Sequence, residues 1–162
     1  MNKYFKSIHV LYIPLIQSCL FFTFSGSAIS SKIKTFSLNI KSDITNGPYN
    51  MLTLFQEQFY DCLTQKNHLE RIDNGGDIVF DCVIKKFDKN LVTGTDGNKV
   101  KISMTVEVTY KNKYNKDFEF EKNSFSDDTE VDSSNSNDDE ENAKMIIKKV
   151  IDKIYNKSIT VW

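Results

Sequence analysis

An alternation of side-chain character between positions 99 and 110 constrains the fold of this chain more than any other feature. Polar and apolar residues take turns, and the apolar set consists of Val100, Ile102, Met104, Val106, Val108 and Tyr110. Successive side chains of a β-strand point to opposite faces. The pattern therefore predicts a strand with one covered face and one polar face, which is typical of an antiparallel sheet.

Shorter segments predict three more strands. Residues 34–40 and residues 78–84 alternate in the same way. Gly94, Asp96 and Gly97 lie within residues 90–98, which indicates a hairpin connection into the long strand. Residues 117–121 alternate phenylalanine with acidic residues, and we expect a last strand there.

Two helices are predicted from apolar residues at three- and four-residue spacing. The first opens at Pro48 and ends near Asn67, since proline is tolerated in a first helical turn. Its apolar positions are Leu52, Phe55, Phe59 and Leu63, flanked by Met51 and Cys62. The second runs from about residue 142 to residue 157, and its stripe is Ile147, Val150, Ile151, Ile154 and Tyr155. We expect Trp162 to cap one edge of the core.

The order of these elements is β-α-β-β-β-α. It predicts an α+β fold, with a four-stranded, mainly antiparallel sheet and two helices packed on one face. A chain of 162 residues suits one domain, which we place at residues 32–162. Residues 127–141 are polar and acidic, and we interpret them as a mobile loop whose acidic end starts the last helix. A calcium site in this loop is disfavoured, because the spacing does not match an EF-hand.

The N-terminal segment has the parts of a secretory signal. Lys3 and Lys6 precede a short apolar run, and Ile16 and Ser18 precede Cys19 in the spacing of a bacterial lipoprotein signal. The run is too short and too interrupted for a membrane-spanning helix. We therefore predict a signal peptide at 1–18, lipidation of Cys19 and a lipid-anchored linker at 19–31; the alternative is an ordinary cysteine in a leader that is uncut or cut elsewhere.

The other two cysteines have two interpretations. Cys62 lies on a predicted helix and Cys82 on a predicted strand, so a disulfide is conceivable in an oxidising compartment. Two buried free thiols are favoured, because both residues have apolar neighbours and the sequence does not supply the geometry of a disulfide.

Catalytic and metal-binding patterns are absent from the sequence. His68, in a predicted helix-exit loop, is interpreted as a solvated histidine rather than a base. No zinc-type spacing occurs. Gly75-Gly76 and Gly94 with Gly97 are interpreted as hairpin glycines, since no helix follows them. We expect no enzyme activity and no cofactor, and the formal net charge of −1 argues against a nucleic-acid partner.

Two groups of lysines remain as candidate binding residues. Lys85 and Lys86 lie with Lys89 at the expected end of one strand, and Lys111 and Lys113 lie with Lys116 at a turn. The simpler interpretation is solvated turn lysines. The functional interpretation makes Lys85, Lys86, Lys111 and Lys113 contacts for the phosphates of an anionic glycolipid.

Several short motifs resemble the LPS-assembly lipoprotein (LptE) family in its Bacteroidetes-like branch. They are Phe22-Thr23-Phe24-Ser25-Gly26 after Cys19, Lys34-Thr35-Phe36-Ser37 in the first strand, and Tyr155-Asn156-Lys157 with Trp162 at the end. The resemblance implies a non-enzymatic lipoprotein on the periplasmic face of the cell outer membrane. It also implies two partners, an LptD-type β-barrel that the protein plugs and the lipopolysaccharide whose transport it assists. The alternative is a generic periplasmic or outer-membrane lipoprotein that binds another protein through its sheet edge.

Overall fold

A computed structural model of the chain describes residues 29–94, 97–132 and 139–159. The proposed signal peptide, Cys19, most of the linker at 19–31 and Trp162 lie outside the described residues. The elements are β1 (Thr35–Ser42), α1 (Met51–Asn67), β2 (Glu70–Arg71), β3 (Ile78–Gly94), β4 (Gly97–Asn112), a 3-10 turn (Lys116–Phe118), β5 (Phe120–Asp132) and α2 (Asp139–Ile159).

The strands form one mixed sheet in the order β2-β1-β3-β4-β5. β3, β4 and β5 are antiparallel neighbours, whereas β1 is parallel to both β2 and β3. The α+β class is confirmed, but the expected four-stranded, mainly antiparallel sheet was not fully correct. The connection between β1 and β3 contains α1, and a helical crossover of this kind returns the chain parallel. β2 has two residues, which is too short for an alternating pattern.

Both helices pack on the same face of the sheet, as predicted. Asn50 and Glu140 are joined by a 3.1 Å side-chain hydrogen bond at one end of the helix pair, and Tyr155 and Asn67 by another of 3.1 Å at the other end. The helices are therefore parallel neighbours. The stripe predicted for α2 is buried throughout, and the stripe predicted for α1 is buried apart from Leu52 and the half-buried Cys62.

A bulge at Lys85 lets β3 run much further than the predicted strand. Ile84 pairs with Val106 but Lys86 pairs with Thr105, so β3 holds one extra residue. The extra residue returns Phe87 to the core face, where it is buried. The predicted hairpin is confirmed, but its strands continue to Gly94 and resume at Gly97, inside the range expected for the connection.

The acidic segment is not a loop over its first six residues. Residues 127–132 belong to β5 and pair with β4. The loop prediction was wrong because lysines of β4 and α2 compensate the charge of the carboxylates: Lys101 Nζ lies 3.2 Å from Asp128 Oδ2, and Lys153 Nζ lies 3.0 Å from Asp127 Oδ2. The acidic start of the last helix is confirmed, since the first turn of α2 consists of Asp139, Glu140 and Glu141.

The start of β5 and the glycine pair also differ from expectation. Phe118 lies in the 3-10 turn rather than in the strand, and Lys122 forms a bulge in β5 with a φ of 49°. Gly75 and Gly76 connect β2 to β3, which do not pair with each other, so this connection is not a hairpin. A Cβ at Gly76 would lie 2.7 Å from the Phe36 carbonyl carbon, so glycine is required there by the close approach of β1.

Within the described ranges, no helix is both long and apolar enough to cross a membrane.

Candidate functional surfaces

The four candidate lysines lie in two separate places. Lys85 and Lys86 occupy the middle of β3, so the expectation that they end a strand was wrong. Lys111 is the penultimate residue of β4, and Lys113 follows its end. Lys86 lies opposite Thr105 in β4, and the stretch of β4 from there to Lys111 spans about 20 Å. The structure therefore does not bring the four lysines together.

The pair in β3 is compensated by carboxylates. Lys85 Nζ lies 2.6 Å from Asp43 Oδ2 and 4.0 Å from Glu107 Oε1, and the hydrogen bond to Asp43 raises the pKa of Lys85 above its usual value. Lys86 Nζ lies 2.6 Å from Asp88 Oδ2. Each of these two ammonium groups therefore already has an anionic partner.

The pair at the end of β4 is less compensated. Lys113 Nζ lies 3.8 Å from Asp77 Oδ1 and 5.7 Å from the centre of the Tyr114 ring. Lys111 is exposed and forms no salt bridge with any residue that the structure describes. The Lys111 and Lys113 ammonium groups are therefore less closely paired with carboxylates than those of Lys85 and Lys86.

A cavity of about 240 Å³ lies at the same end of the sheet. Its wall includes Lys32, Tyr110, Asn112 and Phe118. Asn112 Nδ2 donates a 3.1 Å hydrogen bond to the Tyr110 hydroxyl, and burial raises the pKa of Tyr110 to about 12. The buried hydroxyl therefore remains a neutral phenol at neutral pH, so it is suited to hydrogen bonding and not to proton abstraction.

The histidine in the described part of the chain has a local structural role. His68 is exposed and takes a left-handed conformation at the end of α1, where its N–H donates a 2.9 Å hydrogen bond to the Thr64 carbonyl. This position matches the predicted helix-exit loop. No cluster of three or more potential metal ligands occurs among residues 29–94, 97–132 and 139–159.

Cys62 and Cys82 are free thiols. Cys82 is buried in β3, and burial raises its pKa far above the usual range. Cys62 is half-buried between the helices, and burial raises its pKa despite the nearby Lys66 ammonium. The thiolate is the reactive form of cysteine, so neither residue is poised as a nucleophile.

The hairpin of β3 and β4, with the end of β5, extends past the helices as an apolar arm. Leu91 pairs with Val100, and Val100 pairs with Val131, so the three side chains form one row on the core face of the sheet. The exposed fraction rises from 3% at Phe87 to 65% at Leu91. A salt bridge between Lys89 and Asp139 marks where α2 begins to cover the sheet. The sequence analysis predicted Val100 in a strand but assigned Leu91 to the hairpin connection and Val131 to the acidic loop, so it did not predict the arm.

Comparison with known proteins shows similarity of fold. No family model and no curated protein matches the sequence. Among solved structures, the chain is similar to a minor lipoprotein from Acinetobacter baumannii, with 14% identity and a TM-score of 0.50 over 77% of this chain and 91% of that one. It is also similar to the hypothetical protein CT253 from Chlamydia trachomatis, with 12% identity and a TM-score of 0.51 over 76% of this chain and 94% of that one. At such identities the likeness concerns the fold, since one fold can carry many functions.

Proposed function

We propose that this chain is an envelope lipoprotein, anchored through Cys19, whose α+β body binds partners and catalyses no reaction. In its finer form the proposal is the role of the LPS-assembly lipoproteins. The body occupies the lumen of an LptD-type β-barrel at the periplasmic face of the outer membrane. There it assists the transport of lipopolysaccharide to the cell surface.

Two features support the lipoprotein part of the proposal. The sequence before Cys19 has the order of a lipoprotein signal, with Ile16 and Ser18 at the expected positions. The fold is similar to that of a protein described as a minor lipoprotein. Several acyl chains on one cysteine hold a soluble domain on a membrane, because each buried methylene contributes about 0.8 kcal/mol.

The apolar arm is the observation that carries the binding role. Its row of Leu91, Val100 and Val131 continues the core face of the sheet beyond the described helices. Leu91 is 65% exposed, whereas Val100 and Val131 are half-buried against the core. Apolar surface left accessible on a folded domain is a candidate contact site for other proteins. The arm is part of a paired sheet, so it reaches a partner without the entropic cost of ordering a flexible loop.

The test is an affinity purification from detergent-solubilised outer membrane with a C-terminally tagged full-length chain and mass spectrometry. We expect a large β-barrel protein in near-equal amount. Leu91→Glu should reduce its recovery, because the charge lies in the apolar row, whereas Met145→Glu on the exposed side of α2 should not.

A Cys19→Ala variant separates the anchor from the partner. We expect it to leave the membrane fraction when no barrel is present. Membrane-bound wild-type protein without any β-barrel would refute the LptD-type role and leave the generic lipoprotein. Equal recovery with Leu91→Glu and Met145→Glu would refute the role of the arm.

A further inference from the structure

The two edges of the sheet differ in whether their outward main-chain groups have hydrogen-bond partners. At the β5 edge, Lys153 Nζ donates a 2.7 Å hydrogen bond to the Ser126 carbonyl, and Lys149 Nζ donates one of 2.9 Å to the Asp128 carbonyl. The Asp128 N–H donates to Asp127 Oδ1 at 2.8 Å. Side chains thus occupy main-chain groups that an incoming strand would need, and this protects β5 from pairing with other chains.

At the opposite edge, most of the outer side of β1 is not paired with any strand that the structure describes. The Glu70 and Ile72 N–H groups donate 2.9 Å hydrogen bonds to the carbonyls of Lys34 and Phe36, so these carbonyls point away from β3. Main-chain groups in a strand alternate in direction, and those of Leu38 and Ile40 therefore also point to the outside. Past Phe36, no strand in the described ranges pairs with this side of β1.

One flank of α1 forms a wall beside the open edge. Leu52, Gln56 and Tyr60 are four residues apart and share that flank. The Tyr60 ring lies 6.0 Å from the Phe36 ring of β1. The Gln56 amide faces the Arg71 guanidinium of β2, and with its oxygen turned toward Arg71 it accepts hydrogen bonds of 2.9 and 3.0 Å. Leu52 is 43% exposed and Tyr60 is 38% exposed. The outward main-chain groups of β1 and the apolar side chains of α1 thus lie side by side.

Negative charge lies at the β2 end of this groove. A space of about 380 Å³ is lined by Gln56, Glu57, Tyr60, Asp61 and Arg71. Gln56 already binds the Arg71 guanidinium, whereas Glu57 and Asp61 form no salt bridge with the part of the chain that the structure describes. Two carboxylates against one cation favour a basic side chain from a partner.

We propose that the open edge of β1 accepts an extended segment of a partner protein as an added strand. Main-chain groups of the segment pair with Leu38 and Ile40, and its alternate apolar side chains contact Leu52 and Tyr60. A lysine or arginine at one end reaches Glu57 and Asp61. Strand addition of this type draws affinity from main-chain hydrogen bonds and specificity from pockets for alternate side chains. The surface is independent of the proposed barrel partner.

A second copy of this chain does not suit the edge. α1 packs over β1, as the contact between Tyr60 and Phe36 indicates. Adjacent strands lie about 4.8 Å apart, whereas packed helices need about 8–10 Å. Pairing two β1 edges would bring two copies of α1 too close, while an extended segment adds no helix to that layer.

The probe is a fluorescein-labelled peptide of alternating valine and threonine with one terminal lysine, titrated against the full-length chain in detergent. We expect saturable binding and slower amide exchange at Leu38 and Ile40. Leu52→Glu should weaken binding by about tenfold, which is a large effect for one contact residue. Met145→Glu, the same kind of change on the exposed side of α2, should leave it unaltered.

Two further variants test the edge and the charge. Ile40→Pro removes an outward N–H, which an edge strand tolerates, and it should abolish the exchange protection at Leu38. Replacing the peptide lysine by glutamate should weaken binding at low salt. The proposal is overturned if the peptide does not bind, or if it binds Leu52→Glu as well as wild type. It is also overturned if the peptide protects amides of β5 instead of β1. A dimer that forms without peptide and that Ile40→Pro dissociates would show that a second copy occupies the edge.

Discussion

The carboxylate of Asp77 accepts a 2.9 Å hydrogen bond from the main-chain N–H of Lys34. The same oxygen accepts a 3.2 Å hydrogen bond from the Thr35 N–H, and the Asp77 N–H donates to Thr35 Oγ1 at 3.0 Å. The residue that precedes β3 therefore holds the start of β1. These bonds connect the first residues of two parallel strands that are more than forty positions apart in sequence.

Asp77→Asn tests this connection through pH. The hydrogen bond from the Lys34 N–H lowers the pKa of Asp77 below its usual value despite partial burial. A carboxyl group whose pKa is depressed by folding stabilises the fold above its unfolded pKa, and that stability is lost as the pH falls through the folded pKa. At pH 7 we expect Asp77→Asn to lower the free energy of unfolding by about 1 kcal/mol.

The difference between wild type and Asp77→Asn should shrink below about pH 4, where an ordinary aspartate protonates. Urea unfolding at several pH values measures it. Asp73→Asn changes an exposed aspartate of the same loop and should follow the wild-type profile. If the free energies of unfolding of Asp77→Asn and wild type differed by the same amount at all pH values, the charge of Asp77 would not be what stabilises this connection.

Lys149 and Lys153 of α2 bind the edge strand β5, and replacing them tests whether they prevent that edge from pairing with other chains. In Lys149→Gln/Lys153→Gln the hydrogen bonds to the Asp128 and Ser126 carbonyls are weakened and the charge beside the edge is lost. We expect self-association that increases with concentration. Analytical ultracentrifugation measures it, with Lys148→Gln/Lys157→Gln as a control of equal charge on the same helix. Equal association of the two variants would point to net charge instead.

A row of aromatic rings crosses the core and predicts where substitution costs most. Phe80 lies 4.9 Å, between ring centres, from both Phe59 of α1 and Tyr110 of β4. Phe80→Ala should lower the free energy of unfolding by about 3–5 kcal/mol, since it removes a fully buried ring. Phe118→Ala, which removes a partly exposed ring from the 3-10 turn, should cost about 0.5 kcal/mol or less. Guanidinium unfolding compares them, and similar losses would place Phe80 outside the core.

Periodicity predicted the elements whose apolar faces are complete. The alternation at 99–110, apart from the half-buried Val100, and the stripe of α2 each match a buried face, because the covering layer selects apolar residues at every turn or second position. Leu52 fits the same spacing in α1 but is exposed, since the sheet ends beside that flank of the helix. Spacing identifies a helix, but it does not reveal how far the opposite layer extends.

The sequence pattern could not show that β1 pairs in parallel or that lysines compensate the acidic residues of β5. β1 alternates like an antiparallel strand although it pairs in parallel, because Asn39 and Lys41 on its polar face are exposed; Ser37 on the same face is buried beside Gly76. The acidic strand β5 has low intrinsic strand propensity. Its stability depends on lysines from β4 and α2 that are distant in sequence, such as Lys101 and Lys153. The sequence likewise identified the candidate lysines, but it did not show how far Lys85 and Lys86 lie from Lys111 and Lys113 in the sheet.

Lys86 and Lys113 are candidate contacts for an anionic glycolipid that differ in how closely a carboxylate pairs with them. Their side chains are 62% and 65% exposed, so they are matched in access to solvent. They differ in compensation, because Lys86 lies 2.6 Å from a carboxylate oxygen and Lys113 lies 3.8 Å from one. The carboxylate partner of Lys113 is farther away and therefore competes less with an incoming anion. Lys113→Glu should thus weaken lipopolysaccharide binding more than Lys86→Glu, and circular dichroism should show that both variants remain folded. Both effects should diminish at high salt, because exposed charges are screened. Unchanged binding of both variants at low salt would remove these lysines from the proposed function.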